Sequence, residues 1–184
     1  EVFRRYQKKI LAFLAISVDF WRRLAKWMLL ASLLLLGAVL VPGVGITANG
    51  ATRWLGFGSF TFQPSEFAKF ALLLFIADVL DRRYADMDDW RRTLVPVLVP
   101  LAAVSGLVML QPNLGTTIII AATVLTVLWA AGTPKLPLFV VTATGAALAA
   151  AAVAGTAFRR TRFLRFLNPW ADAHNTGLQN IQSM

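Results

Sequence analysis

The chain has 184 residues, of which 58% are hydrophobic, a mean hydropathy of +0.65 and a formal net charge of +9. That apolar content excludes an ordinary soluble domain and points to a polytopic, all-α membrane protein. With no cysteine, a disulfide framework and a thiolate metal site are excluded as well.

A spanning helix takes about 20 mostly apolar residues. By that rule helices are expected near 3–18, 24–41, 64–80, 94–111, 113–131 and 135–157. The basic start (Arg4, Arg5, Lys8, Lys9) precedes the first apolar run without a small-residue cleavage site, so no cleavable signal peptide is expected. Pro42-Gly43 stops the second helix. A polar, turn-rich loop follows over 42–63; it contains the turn dipeptide Asn49-Gly50, then Arg53-Trp54. Gln63-Pro64-Ser65-Glu66 reads as a helix start, because Pro64 lacks an N–H that the first turn leaves unpaired and Glu66 meets the positive end of the helix dipole. Gln111-Pro112-Asn113 makes a tight reversal, with Asn113 placed to cap the next helix. Residues 1–157 thus form the membrane region, and 158–184 a polar, basic and aromatic segment.

Basic residues orient the helices. The connections at 19–26, 81–93 and 132–135 carry Arg22, Arg23, Lys26, Arg82, Arg83, Arg91, Arg92 and Lys135, whereas 42–63 and 111–113 carry only Arg53. The second pair is therefore expected to face outward, and helix parity sends 158–184 outward too. The basic residues of the two chain ends cancel the bias, with eight inside against nine outside. Interleaved with short loops, these charges suit anionic lipid rather than nucleic acid.

Within spans the charges are few. Glu66 and Lys69 stand three apart on one helix face, the spacing of an ion pair; such charges at membrane depth are either paired or functional. Asp78, near the inner end of the same helix, is expected to reach cytoplasmic water. The outward segment holds Arg159, Arg160, Arg162 and Arg165 among Phe158, Phe163, Leu164 and Phe166, the composition of a segment at the lipid interface. These arginines fit headgroup anchoring or capture of a pyrophosphate by paired donors. Asp172 is the only acid in that segment. By residue type alone, an acid there is more often a cap or turn residue.

Four blocks, NGATRW, QPSEFAK, QPNLGT (111–116) and FLNPWAD…GLQNIQS (166–183), in that order among apolar helices, resemble the FtsW/RodA/SpoVE family. These are the SEDS glycosyltransferases of the bacterial cell wall, and Asn168-Pro169-Trp170 inclines the resemblance to the FtsW branch. The resemblance implies a fold of about ten spanning helices, of which this chain would hold about six. It implies residence in the bacterial plasma membrane with the active site facing outward. Asp172 matches the family's essential loop aspartate and would be the catalytic base. Arg53 and Trp54, with Glu66 and Lys69, match motifs implicated in activity and would bind substrate with the four arginines. The chain departs from the family in reading Asp172-Ala173-His174 where Asp-Pro is common, and Asn113 where Asp is usual.

The function so implied is peptidoglycan polymerisation from lipid II, the undecaprenyl-pyrophosphate-linked disaccharide pentapeptide, with a class B penicillin-binding transpeptidase as partner. A base would take the acceptor proton while cations hold the leaving pyrophosphate. The sequence holds no His/Cys/carboxylate cluster for a tight metal site and His174 is its lone histidine. No residue pattern indicates a cofactor, and a loosely held Mg2+ or Mn2+ bridging pyrophosphate would leave no such signature. Two other readings stay open. A lipid II flippase needs a polar path, for which Glu66, Lys69 and Asp78 are the only charges within spans. A scaffold needs no chemistry from Asp172.

Overall fold

A computed structural model describes residues 18–48, 51–57, 60–83 and 89–156. The elements run α1 (Val18–Val39), β1 (Gly45–Ala48), β2 (Ala51–Phe57), β3 (Phe60–Phe62), α2 (Pro64–Arg82), α3 (Trp90–Leu110), α4 (Leu114–Ala130) and α5 (Lys135–Ala154). The chain forms two compact units, residues 1–138 and 139–184. The expected helix at 3–18 lies outside the described residues, apart from its last residue, which opens α1. The other five are present.

Two helices begin earlier than hydropathy alone predicts. α1 starts six residues upstream of 24 and takes in Asp19, Arg22, Arg23 and Lys26. α3 starts at Trp90 because Asp89 caps it, its carboxylate accepting from the backbone N–H groups of Arg91 (3.2 Å) and Arg92 (3.4 Å). A hydropathy window finds only the apolar part of a helix, whereas the backbone ladder continues through charged turns wherever a cap satisfies its end.

The interior of the first unit is a helical seam. α1 buries Ala25, Leu29, Ser32, Leu36 and Val39, spaced alternately four and three residues apart, and packs chiefly against α2. α2 answers with small residues, Ser65, Ala68 and Ala71, before Leu72 and Ile76, so the backbones approach closely. The buried Ser32 hydroxyl donates to the Leu29 carbonyl at 2.7 Å, so it is itself satisfied within α1. α3 contributes Leu94, Val97, Val104 and Val108, and α4 Ile120, Val124 and Leu128.

The opposite faces are apolar too. Trp27, Leu30 and Leu34 of α1, Val95 and Val99 of α3, and Ile118, Ile119 and Trp129 of α4 are exposed. In water such faces would drive association; against acyl chains they are at home. α3 and α5 are each long and apolar enough to cross a bilayer, and α4 is apolar over its 17 residues.

One expectation is revised. The loop at 42–63 is largely an antiparallel three-stranded sheet in the order β1-β2-β3. Ala48 pairs with Ala51 on either side of the turn dipeptide Asn49-Gly50, and Phe57 with Phe60. The sheet sits on the ends of α1 and α2 through Ala51 and Leu55, both buried. The approach is close at Gly45, where a Cβ would stand 2.5 Å from the Val39 carbonyl oxygen.

Charged residues gather at the other end of the bundle. There Arg22 of α1 forms an ion pair with Asp81 of α2, and Arg92 pairs with Asp89 at 3.2 Å. Asp78 corrects a second expectation: its side chain does not reach water but is 4% exposed, held by Arg82 Nε at 2.8 Å. One helical turn further along, Arg82 is half exposed and carries the pair's contact with solvent.

Candidate functional site

The sheet end of the bundle collects the predicted site residues that lie among the described ones. Arg53 and Trp54 are neighbours on β2, and Glu66 and Lys69 occupy the first turns of α2. Arg53 is the extra residue of a β-bulge, between the Ile46–Trp54 and Thr47–Thr52 pairs, where the regular alternation of the strand is interrupted.

Arg53 is fixed. Its Nε donates to the Gln111 carbonyl at 3.2 Å and its Nη2 to the Pro112 carbonyl at 2.7 Å. Those carbonyls close the C-terminus of α3, where the last turn leaves acceptors unpaired and the helix dipole favours a cation. Gln111 continues the connection inward. It is 1% exposed, and its Nε2 donates to the Leu36 carbonyl of α1 at 3.0 Å. One chain of contacts therefore joins β2, the α3–α4 reversal and the end of α1.

Asn113 then caps α4 as the sequence predicts, its Oδ1 accepting from the Thr116 N–H at 3.4 Å. The cap needs a side-chain acceptor and no charge, which accounts for Asn serving at that position. Between sheet and reversal lies a cavity of about 480 Å3, with Val39, Gly45, Thr52, Gln111 and Pro112 in its wall.

On α2, Pro64 occupies the first helical position, and Gln63 Nε2 donates to Ser65 Oγ at 2.9 Å. Glu66 Oε2 and Lys69 Nζ form an ion pair at 2.9 Å, with side chains 57% and 31% exposed. The pair stands in the first turns, where the carboxylate is also stabilised by the helix dipole. It retains enough exposure to meet a ligand. The Phe62 and Phe67 rings meet nearby in a tilted pair, centroids 6.5 Å apart, joining β3 to the same helix end.

Asp172, Arg159, Arg160, Arg162 and Arg165 lie outside the described residues. Among the described residues no group of acidic or histidine side chains is placed to hold a metal ion. Gln111 is visible in the sequence only as part of the reversal and of the QPNLGT block; that it ties three elements together is shown by the packing alone.

Comparison with known proteins places this arrangement. A probable peptidoglycan glycosyltransferase FtsW from Allochromatium vinosum is 37% identical over 177 residues, covering 95% of this chain and 44% of that protein. The corresponding protein of Halorhodospira halophila is 40% identical over 175 residues, 95% of this chain and 44% of its own length. The stage V sporulation protein E of Bacillus subtilis is 33% identical over 177 residues, 95% and 48% respectively. The chain thus spans less than half the length of these relatives.

Among solved structures, a peptidoglycan synthase complex that coordinates polymerization and crosslinking superposes with a TM-score of 0.72 at 38% identity, over 95% of this chain and 52% of that one. The rod shape determining protein RodA of Thermus thermophilus gives 0.57 at 36%, over 76% and 46%. The cell cycle protein family FtsW/RodA/SpoVE matches residues 9–184. A helical membrane chain with three of its four signature blocks at one sheet-capped end, matched over nearly its whole length, belongs to the FtsW/RodA/SpoVE family.

Proposed function

We propose that the full-length protein is a peptidoglycan glycosyltransferase that polymerises lipid II, and that the sheet end of the bundle faces outward as part of its active site. The observation that carries this reading is the match of 95% of the chain to proteins named as probable peptidoglycan glycosyltransferases, at 37–40% identity. The geometry supports it: Arg53 braces a sheet over a helix end from which Glu66 and Lys69 remain accessible.

Asp172 takes the proton from the 4-hydroxyl of the acceptor sugar. The hydroxyl oxygen bonds to the anomeric carbon of the donor glycan as the bond from that carbon to the polyprenyl pyrophosphate oxygen breaks. The electron pair leaves with pyrophosphate, which Arg159, Arg160, Arg162 and Arg165 stabilise. Arg53 acts as a positioning residue, since its guanidinium is already engaged with backbone carbonyls. Trp54 offers a face for a sugar ring. A class B penicillin-binding transpeptidase is the partner that crosslinks the product.

The flippase reading weakens on one observation. All three charges expected within spans are paired, Glu66 with Lys69 and Asp78 with Arg82. The test is polymerisation of purified lipid II by the full-length protein with its transpeptidase, wild type against Asp172→Ala. Glycan strands from wild type and none from a folded variant support the proposal. Equal product from both removes Asp172 as the base. Lipid crossing without polymer from either protein establishes the flippase instead.

A further inference from the structure

At the charged end, remote from the sheet, a groove of about 600 Å3 opens between α1, α2 and α3. Its walls are apolar: Leu33 from α1, Phe75 from α2, and Val95, Val99 and Ala103 from α3. Its mouth carries Arg83 and Arg91.

The α3 wall is a single stripe, Arg91, Val95, Val99 and Ala103, at intervals of four residues. At a rise of about 1.5 Å per residue the stripe is roughly 18 Å long. One leaflet of hydrocarbon is roughly 15 Å deep. The groove therefore matches one acyl chain in length and ends in cations where a headgroup phosphate would lie.

The mouth is built rather than incidental. Pro96 interrupts α3 and supplies no N–H to the carbonyl of Arg92, four residues earlier. Arg83 Nη1 donates to that carbonyl instead. This contact uses one of the five guanidinium donors and holds the group at the groove. Arg91 lies against the Trp90 ring, 5.3 Å from its centroid. Arg22, Arg82 and Arg92 are neutralised by Asp81, Asp78 and Asp89, whereas among the described residues neither Arg83 nor Arg91 has a carboxylate partner.

We propose that this groove is a binding site for an anionic glycerophospholipid, its phosphate between Arg83 and Arg91 and one acyl chain along the Val95–Val99–Ala103 stripe. The lipid fastens α1, α2 and α3 at the end opposite the sheet. The site is independent of the glycosyl-transfer reading.

The test is native mass spectrometry of the full-length protein released from membranes of equal phosphatidylglycerol and phosphatidylcholine. Phosphatidylglycerol is expected to be retained preferentially. Arg83→Gln/Arg91→Gln should cut that retention by roughly tenfold or more, the scale of two cationic contacts to an anionic headgroup. Arg91→Gln alone, which leaves the Arg83–Arg92 contact intact, should cut it by roughly fivefold. Val99→Trp, which fills the apolar wall, should abolish it. Arg23→Gln/Lys26→Gln, basic residues of the same end outside the groove wall, should leave it unchanged.

Equal retention of the two lipids, or no retained lipid, overturns the proposal. So does an equal loss from the Arg23/Lys26 control, which indicates a diffuse basic surface. Retention only after deletion of residues 1–17 shows that the chain's own N-terminal segment covers the groove, and also overturns it.

Discussion

Arg53 and Gln111 are 58 residues apart and hydrogen-bonded, side chain to carbonyl, at 3.2 Å. Through this contact, and that of Arg53 with Pro112, the sheet is held to the bundle by a cation on a helix C-terminus. Hydrogen bonds to charged groups contribute about 1.5–3 kcal/mol each when partly shielded from water. Arg53→Ala should therefore destabilise the sheet end by about 2 kcal/mol and speed amide exchange over 45–57 well before the helices open. Arg53→Lys, with a point charge in place of the fork, should recover less than half of that loss. Hydrogen exchange read by mass spectrometry on the protein in detergent checks both.

Gly45 is a second fixing point. A Cβ there would stand 2.5 Å from the Val39 carbonyl oxygen and 2.4 Å from Thr52 Cγ2. The backbone oxygen cannot swing away as a side chain can. Gly45→Ala should cost about 1–3 kcal/mol by forcing β1 off the end of α1. At Gly37, inside α1, a Cβ would meet nothing within 4 Å, and Gly37→Ala should be neutral or stabilising by up to about 1 kcal/mol. Thermal unfolding of the two variants side by side gives opposite signs if the reading is right.

The helices were legible in the sequence because apolar runs of spanning length leave few alternatives. α2 begins at Pro64, where the Gln-Pro-Ser-Glu signal puts it. The sheet was not legible, although its ingredients were. Asn49-Gly50 marks a hairpin turn, and Phe60-Thr61-Phe62 alternates with the period of a strand. Those signals are only a few residues long and sit between helices whose hydropathy dominates any wider window. Arg53 and Gln111 illustrate the same limit in the site. Each was visible in a polar block, Arg53 in NGATRW and Gln111 in QPNLGT, but their pairing joins positions 58 apart and exists only once the helices have packed. The Glu66–Lys69 pair was readable because both partners lie on one helix face.

Asp78 and Arg82 test how the bundle tolerates charge. Asp78 is buried and depends on Arg82 for its counter-charge. Removing the arginine leaves a buried carboxylate unpaired, and removing both leaves two neutral groups in the same space. Arg82→Gln should therefore destabilise more than Asp78→Asn/Arg82→Gln. The half-exposed Arg82 limits the effect to the lower end of what a buried pair loses. A double-mutant cycle in thermal unfolding measures the coupling, and an Arg82→Gln variant as stable as wild type would show that water reaches Asp78.

The Glu66–Lys69 pair separates a structural role from a catalytic one. If the pair served only to neutralise two charges on α2, exchanging them would preserve function. The exchange Glu66→Lys/Lys69→Glu keeps an ion pair at the same spacing, and it places a cation in the first turn, at a cost of about 0.3–1 kcal/mol against the helix dipole. That cost is small beside the stability of a packed helix, so the exchanged protein should fold. A substrate contact is specific in sign: Lys69 placed for phosphate or a sugar oxygen becomes repulsive or unable to donate as Glu. The exchanged full-length protein should keep its unfolding midpoint within a few degrees, the scale of a 1 kcal/mol change, and lose at least tenfold in lipid II polymerisation. Wild-type polymerisation by the exchanged protein would make the pair purely structural, and would leave Trp54, Arg159, Arg160, Arg162 and Arg165 as the candidates for substrate binding.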